Sequence, residues 1–266
     1  IGTTGADGVV RIWSPKTGEL HCEISDPEHA LTERLAFHPE GKHLMVCGHG
    51  TTQIREGDQF QTIRQTLSGV VNWVGSDFSP DGKLLAVGDH DRTFVWEFDG
   101  SEYLPLATLE GVPGTHLHFI DEGRRLVTGS RKVGPEGTKR LIQIWDTNDW
   151  PRPAATYSPG PASAISNHAL FPAGNLMTVS APGESRLRFL NLQTLAGPAG
   201  PKESASVDPP AEPLTGLTAP PILLRAAADG RLLLAASRYG DIHLWALPGG
   251  KLTRTWTMPS PNHVQP

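Results

Sequence analysis

Phe78-Ser79-Pro80-Asp81-Gly82-Lys83-Leu84-Leu85-Ala86, followed by Thr93-Phe94-Val95-Trp96, is the stretch that decides how this chain folds. Pro80 presets the φ of a turn's second residue, and Gly82 supplies the positive φ that closes it. Apolar residues flank the turn on both sides, so the first segment reads as a tight hairpin of two strands. Thr93–Trp96 then reads as a third strand that ends on a large aromatic.

The device recurs along the chain. The turn reappears as Phe37-His38-Pro39-Glu40-Gly41-Lys42-His43-Leu44, Phe119-Ile120-Asp121-Glu122-Gly123-Arg124, Phe171-Pro172-Ala173-Gly174-Asn175-Leu176 and Ala227-Ala228-Asp229-Gly230-Arg231-Leu232. Gly41, Gly82, Gly123, Gly174 and Gly230 are the repeated turn glycines. The strand closing on an aromatic reappears as Val10-Arg11-Ile12-Trp13, Ile142-Gln143-Ile144-Trp145 and Ile242-His243-Leu244-Trp245. Degenerate copies are Thr52-Gln53-Ile54-Arg55 and Leu187-Arg188-Phe189-Leu190. The closing positions step by 42, 41, 49, 45 and 55 residues, against roughly 40–45 for a propeller repeat.

Each unit therefore reads strand a, strand b, tight turn, strand c, loop, strand d. In the second unit these fall near Glu19–Ile24, Arg34–His38, His43–Cys47 and Thr52–Arg55. Four-stranded antiparallel sheets repeated in this way predict an all-β propeller. Six blades are expected, one of them incomplete. No stretch carries a 3.6-residue apolar period, so no helix longer than about two turns is expected. Ile1–Thr4 reads as a strand c, and Lys251–Trp256 as a strand a of another blade. The expectation is one propeller over residues 1–266, cut in mid-repeat at both ends. Closed as a ring, its last strand a joins the sheet of Ile1–Trp13; otherwise the chain is a slice of a longer array.

Asp7-Gly8-Val9-Val10-Arg11-Ile12-Trp13 with its Thr17-Gly18-Glu19-Leu20 exit, and the Phe78–Ala86 hairpin, resemble the d strand and the b–c hairpin of WD40 repeats, in a degenerate, bacterial-type form. The resemblance covers nearly the whole chain. The family's Trp-Asp pair survives only at Trp145-Asp146, and Val70 and Val112 stand where its Gly-His signature has histidine. The resemblance implies a non-catalytic platform for protein–protein interaction. Other proteins or peptides are the partners it implies, with oligomeric state open. Two other readings stay open. One is a sensor or regulatory C-terminal propeller of a larger signalling protein, such as a serine/threonine kinase. The other is a propeller enzyme with its site in a central channel.

Composition narrows the partners. The 266 residues carry 23 basic and 28 acidic side chains, a formal net charge of -5. Phosphate binding needs a concentrated basic surface, so nucleic acid is not expected. No apolar run is long enough to span a membrane. Cys22 and Cys47 are too few for a disulfide framework and read as buried core thiols. They fit a reducing compartment, so a cytoplasmic location is expected. The chain begins at Ile1 without methionine, so a native N-terminus and any targeting signal are expected to be missing.

No catalytic motif or cofactor fingerprint is present, and no cofactor, metal or catalytic residue is expected. Gly88-Asp89-His90-Asp91 reads as a solvated c–d loop with turn-forming aspartates. His116 and His118 share one side of a strand but lack a third ligand at zinc spacing. Trp13, Trp96, Trp145 and Trp245 recur with the repeat and are expected to fill the same inter-blade gap. Trp150 lies in a proline-rich d–a loop, as a partner anchor or a cover for its own blade.

Two insertions stand out. Arg131-Lys132-Val133-Gly134-Pro135-Glu136-Gly137-Thr138-Lys139-Arg140 is basic and reads as a lengthened c–d loop. Residues 196–221 are rich in proline and alanine and read as a loop insertion, with a weak strand a near Glu203–Val207. Strand direction alternates, so all c–d and a–b loops share one face. Recognition residues concentrate on loops. The candidate contact residues are His49, Asp89, His90, Asp91, Arg92, Arg131, Lys132, Lys139, Arg140 and Tyr239.

Overall fold

A computed structural model describes residues 1–4, 7–25, 32–48, 51–70, 73–110, 112, 116–134, 137–150, 152–157, 167–170, 176–180, 187–192, 214–217, 219–227, 230–237 and 239–257. These residues form six sheets. The first holds β1 (Gly2–Thr4), β2 (Val9–Trp13) and β3 (Leu20–Ser25). The second holds β4 (Thr32–Phe37), β5 (His43–Gly48), β6 (Thr51–Glu56) and β7 (Thr62–Leu67). The third holds β8 (Trp73–Phe78), β9 (Leu84–Asp89), β10 (Arg92–Phe98) and β11 (Tyr103–Glu110). The fourth holds β12 (His116–Ile120), β13 (Arg125–Gly134), β14 (Gly137–Asp146) and β15 (Pro153–Tyr157). The fifth holds β16 (Asn167–Leu170), β17 (Leu176–Ser180) and β18 (Leu187–Asn191), and the sixth holds β19 (Pro221–Ala226), β20 (Leu232–Ser237), β21 (Asp241–Ala246) and β22 (Lys251–Thr257). Within each sheet, neighbours in sequence are neighbours in space. The fold is an all-β propeller built from such blades. Helical backbone among the described residues is confined to a 3-10 turn at Asp121–Gly123 and to Leu192.

The chain divides into two compact units, Ile1–Lys132 with Ile142–Pro153, and Val133–Leu141 with Ala154–Pro266. In the first unit, sheets meet through β1 against β4, β4 against β8, and β8 against β12. In the second, β16 meets β19.

This arrangement corrects the strand assignment. The strand labelled a does not open its own blade; it closes the blade before. β3 pairs with β2 in the register Val10↔Ile24 and Ile12↔Cys22, and β7 and β11 pair likewise with β6 and β10. The reason is loop length: the d–a link is short, and a short link makes an antiparallel hairpin. Each sheet is thus b, c, d and the following a. From β4 onward it is strand b, not strand a, that faces the neighbouring sheet. The same logic moves Lys251–Trp256. It is not the first strand of another blade but β22, the outer strand of the sixth sheet, paired through Ile242↔Trp256 and Leu244↔Arg254. It is not in the sheet of Ile1–Trp13.

Alternation along each strand sends side chains to both faces, and both faces are covered. Leu44 and Val46 of β5 pack with Val10, Ile12, Cys22 and Ile24 of the first sheet. Met45 and Cys47, on the other face, pack with Phe78, Leu85, Val87 and Trp96 of the third. Ala86, Val95 and Leu109 then pack with Leu117, Phe119, Leu126 and Trp145. In the second unit Leu176 and Leu187 pack with Leu224, Leu233 and Trp245. Trp96, Trp145 and Trp245 are buried in these seams. Trp13 differs: it is half-buried, and its indole N–H donates to Thr3 Oγ1 at 2.8 Å. Trp145 makes the same bond to Thr128 Oγ1 at 3.0 Å within a buried setting.

Candidate functional site

The two ends of the sheets are built differently. At the end carrying the b–c turns and d–a loops, side chains tie one blade to the next. The Ser79–Lys83 turn is held from within: Ser79 Oγ donates to Asp81 Oδ1 at 2.6 Å, and accepts the Leu84 N–H at 2.8 Å. Four apolar residues in or directly after d–a loops reach into a seam beside their blade. Phe60 joins the core between the first and second sheets, and Tyr103 that between the second and third. Trp150 packs against the core between the third and fourth, which places it over its own blade rather than at a partner surface. Leu247 fills the corresponding place in the second unit.

Tyr103 is held by β7. The Gln65 side chain donates to the Tyr103 carbonyl at 2.8 Å and accepts the Tyr103 N–H at 2.8 Å. Burial pushes the Tyr103 phenol up to about 12. Arg64 reaches Glu56 and the Ser101 carbonyl, with its guanidinium 5.7 Å from the Phe98 ring centre. The seam residues Phe60, Tyr103 and Gln65 were not singled out in the sequence. Their signal in the sequence is an apolar residue shortly after strand d, as at Trp150.

The opposite end carries the c–d connections. Here the expected loop at Gly88–Asp91 shrinks to His90 and Asp91, because Asp89 ends β9 and Arg92 begins β10. Asp89 is only 7 % exposed, largely covered within the blade. His90 and Asp91 are exposed. Arg92 Nε donates to Asp91 Oδ1 at 3.1 Å, its Nη1 is 4.0 Å from Glu110, and its guanidinium lies 5.7 Å from the Phe94 ring centre. The Asp91 contact and the Glu110 charge raise its already high pKa, so it stays a cation. Tyr239, 61 % exposed, stands on the β20–β21 turn of the second unit, where Ser237 Oγ accepts the N–H groups of Tyr239 and Asp241.

The basic insertion is not a loop. Arg131 and Lys132 lie in β13, and Lys139 and Arg140 in β14, two strands of 10 residues each where β9 has 6. Extra residues have lengthened the hairpin, which keeps their backbone groups paired. His49, Gly174 and the strand expected at Glu203–Val207 lie outside the described residues. The fifth sheet gains its outer bridge later, where Leu214 pairs with Leu187.

Other candidate chemistry is accounted for. Asp77 Oδ2 accepts the Phe119 N–H at 2.8 Å and lies 3.8 Å from His118 Nδ1, so this pair links β8 to β12. Cys22 and Cys47 are free and buried, and burial pushes the Cys47 thiol up to about 12. Among the described residues no group of three His, Cys, Asp or Glu could hold a metal ion, and no helix is long and apolar enough to cross a membrane.

Repeated blades of this kind, joined through strand b and sealed by aromatic residues, define a β-propeller protein. The profile of the WD domain, G-beta repeat, matches residues 59–96, the segment from the Phe60 loop to Trp96. That match and the relatives below support a WD40-repeat β-propeller family for this chain. It is similar to WD repeat and SOCS box-containing protein 1 of Danio rerio, 31% identical over 97 residues, covering 35% of this chain and 23% of the relative. It is similar to the transcriptional corepressor LEUNIG_HOMOLOG of Arabidopsis thaliana, 26% identical over 136 residues, covering 51% and 16%. It is also similar to target of rapamycin complex subunit wat1 of Schizosaccharomyces pombe, 23% identical over 172 residues, covering 64% and 47%. The chain spans less than half the length of each of these relatives.

Proposed function

We propose that this protein is a non-catalytic platform that captures other proteins or peptides at the c–d end of its blades. One observation carries the reading. Within each unit, the b–c and d–a ends of the blades carry residues that lock blade to blade, while exposed side chains stand on the c–d turns, His90 and Asp91 in the first unit and Tyr239 in the second. A rigid base with exposed polar and aromatic side chains on short connections is what a recognition surface requires. The lengthened basic hairpin with Arg131, Lys132, Lys139 and Arg140 is the c–d connection of the fourth sheet. Its charge suits an acidic partner and speeds encounter. The relatives support the general reading, since two carry names of assembly members, a corepressor and a complex subunit.

The test is the association rate of a captured partner with wild type and with Arg131→Glu/Lys132→Glu. The double variant is expected to associate at least several-fold more slowly, with the difference shrinking at high salt. Its melting curve is expected to match wild type, because surface substitutions stay within about 0.5 kcal/mol. Equal association rates would remove the hairpin from the binding surface.

A second reading places this propeller as the regulatory part of a larger signalling protein. The observation that favours it is length: the matched relatives extend well beyond the region they share with this chain. In that case the platform acts on a domain of its own polypeptide, and full-length protein would show the contact by cross-linking.

A further inference from the structure

His38 and His43 are both buried, 6 % and 8 % exposed, at the seam between the second and third sheets. Their rings meet edge to face with centres 5.3 Å apart. His38 is engaged at both nitrogens. Nδ1 accepts the Glu40 N–H at 3.2 Å, and Nε2 lies 3.2 Å from the Gly82 carbonyl oxygen. A neutral ring with its proton on Nε2 satisfies both contacts. Gly82 belongs to the turn of the next blade, so this hydrogen bond crosses the seam. His43, at the start of β5, also faces that blade. Its ring stands edge-on to Phe98 and Tyr103, with centres 5.5 and 6.2 Å away, and Nδ1 is 3.4 Å from the Tyr103 hydroxyl.

Four charged groups face the pair. Glu56 lies 3.9 Å from His43 Nε2 but is already held by Arg64. Lys42 and Glu40, on the intervening turn, pair with each other at 2.7 Å. From the third sheet come the Tyr103 hydroxyl, neutral at ordinary pH, the Gly82 carbonyl and the rings of Phe78 and Phe98.

We propose that this seam is an acid-sensitive latch between two blades, with His43 as the group that takes the proton and His38–Gly82 as the bond that yields. A proton on His43 places a cation among aromatic rings, beside His38 and with Arg64 nearby. Glu56 and Glu40 would favour an imidazolium, but Arg64 already engages the first carboxylate and Lys42 the second. Burial first, then Arg64 and His38, hold the His43 imidazole below the usual histidine range. The unfolded chain therefore takes up this proton at higher pH than the folded one. The seam has its full stability above about 6.5, the ordinary histidine value, and loses it as pH falls below that toward the lower folded value.

Hydrogen exchange of the whole chain, read by mass spectrometry and corrected for intrinsic rates, tests the latch. Between about pH 7.5 and about pH 5.5, peptides covering the Ser79–Lys83 turn and Phe98–Tyr103 are expected to lose protection. Peptides in β16–β18 are expected to hold theirs. His43→Phe fills the aromatic cage without a titrating group and is expected to abolish the acid effect. Unchanged protection in wild type, or the same loss in His43→Phe, would overturn the proposal. Should that variant not fold, NMR titration of the His43 ring in wild type decides: a midpoint below about 6.5 supports the latch, and one at or above it overturns the latch.

Discussion

His38 and Gly82 occupy successive turns of two different blades, and Nε2 of the first lies 3.2 Å from the carbonyl oxygen of the second. The approach depends on a missing side chain. A Cβ at Gly82 would sit 2.0 Å from that nitrogen. Ser79 and Gly123 repeat the contact one blade further on, with a Cβ at Gly123 3.2 Å from Ser79 Cβ. The turn glycines therefore serve two ends: they close a hairpin, and they leave room for the turn of the blade before.

Gly41 and Gly82 separate those ends. Both have φ near 72°, but nothing lies within 4 Å of a Cβ at Gly41. Gly41→Ala is expected to cost about 1–2 kcal/mol, the backbone term alone. Gly82→Ala carries that cost and also displaces a buried imidazole, so about 2–4 kcal/mol is expected. Urea denaturation of the two variants measures the difference, and equal losses would show that the His38 contact contributes nothing.

Trp96 and Trp13 end equivalent strands but differ in burial. Trp96 is 3 % exposed within a core shared by two sheets. Trp96→Ala is expected to destabilise by about 3–5 kcal/mol. Trp13 is half-buried and chiefly meets Thr3, so Trp13→Ala is expected to cost about 1–2 kcal/mol. Denaturant midpoints at constant slope check both values.

Asp99 links loop chemistry to pH. Its Oδ1 accepts the N–H of Ser101 at 2.7 Å, the N–H of Glu102 at 2.9 Å and the Ser101 hydroxyl at 2.9 Å, shaping the loop that delivers Tyr103. Those bonds, the Glu102 and Ser101 amides first, lower its pKa. Its contribution is present above the unfolded carboxylate value of about 3.9 and lost as pH falls through the lower folded value. Asp99→Asn keeps an acceptor without a charge. It is expected to flatten this part of the acid dependence of Tm, read as the difference from wild type between about pH 5 and about pH 3.

Much of the fold was legible in the residues because the turn chemistry is local. Pro39-x-Gly41 and Pro80-x-Gly82 announce hairpins whatever surrounds them. What was not legible is which sheet a strand joins. β3, β7 and β22 carry no mark that assigns them to the blade before rather than the blade after; the length of the link decides it. The candidate site divides in the same way. His90 and Tyr239 project as loop residues should, but burial of Asp89 depends on how far β9 runs, and the turn that ends β9 has no proline to fix it. Extension of the basic segment as paired strands was hidden by Gly134-Pro135, which reads as a break although β13 runs up to Gly134. Phe60 and Tyr103 carry no local mark of their role, because their partners stand a blade away in sequence.

The most direct measurement of the central claim compares partner capture by two surface variants of equal stability. One carries His90→Ala, Asp91→Ala and Tyr239→Ala at the c–d end. The other carries Glu40→Ala and Lys42→Ala at the b–c turn end. Each is used as bait in the native extract, with recovered proteins quantified against wild type. The account predicts that the c–d variant loses at least one partner that the turn-end variant and wild type both retain. Recovery of every partner by all three baits, or loss confined to the turn-end variant, would contradict it.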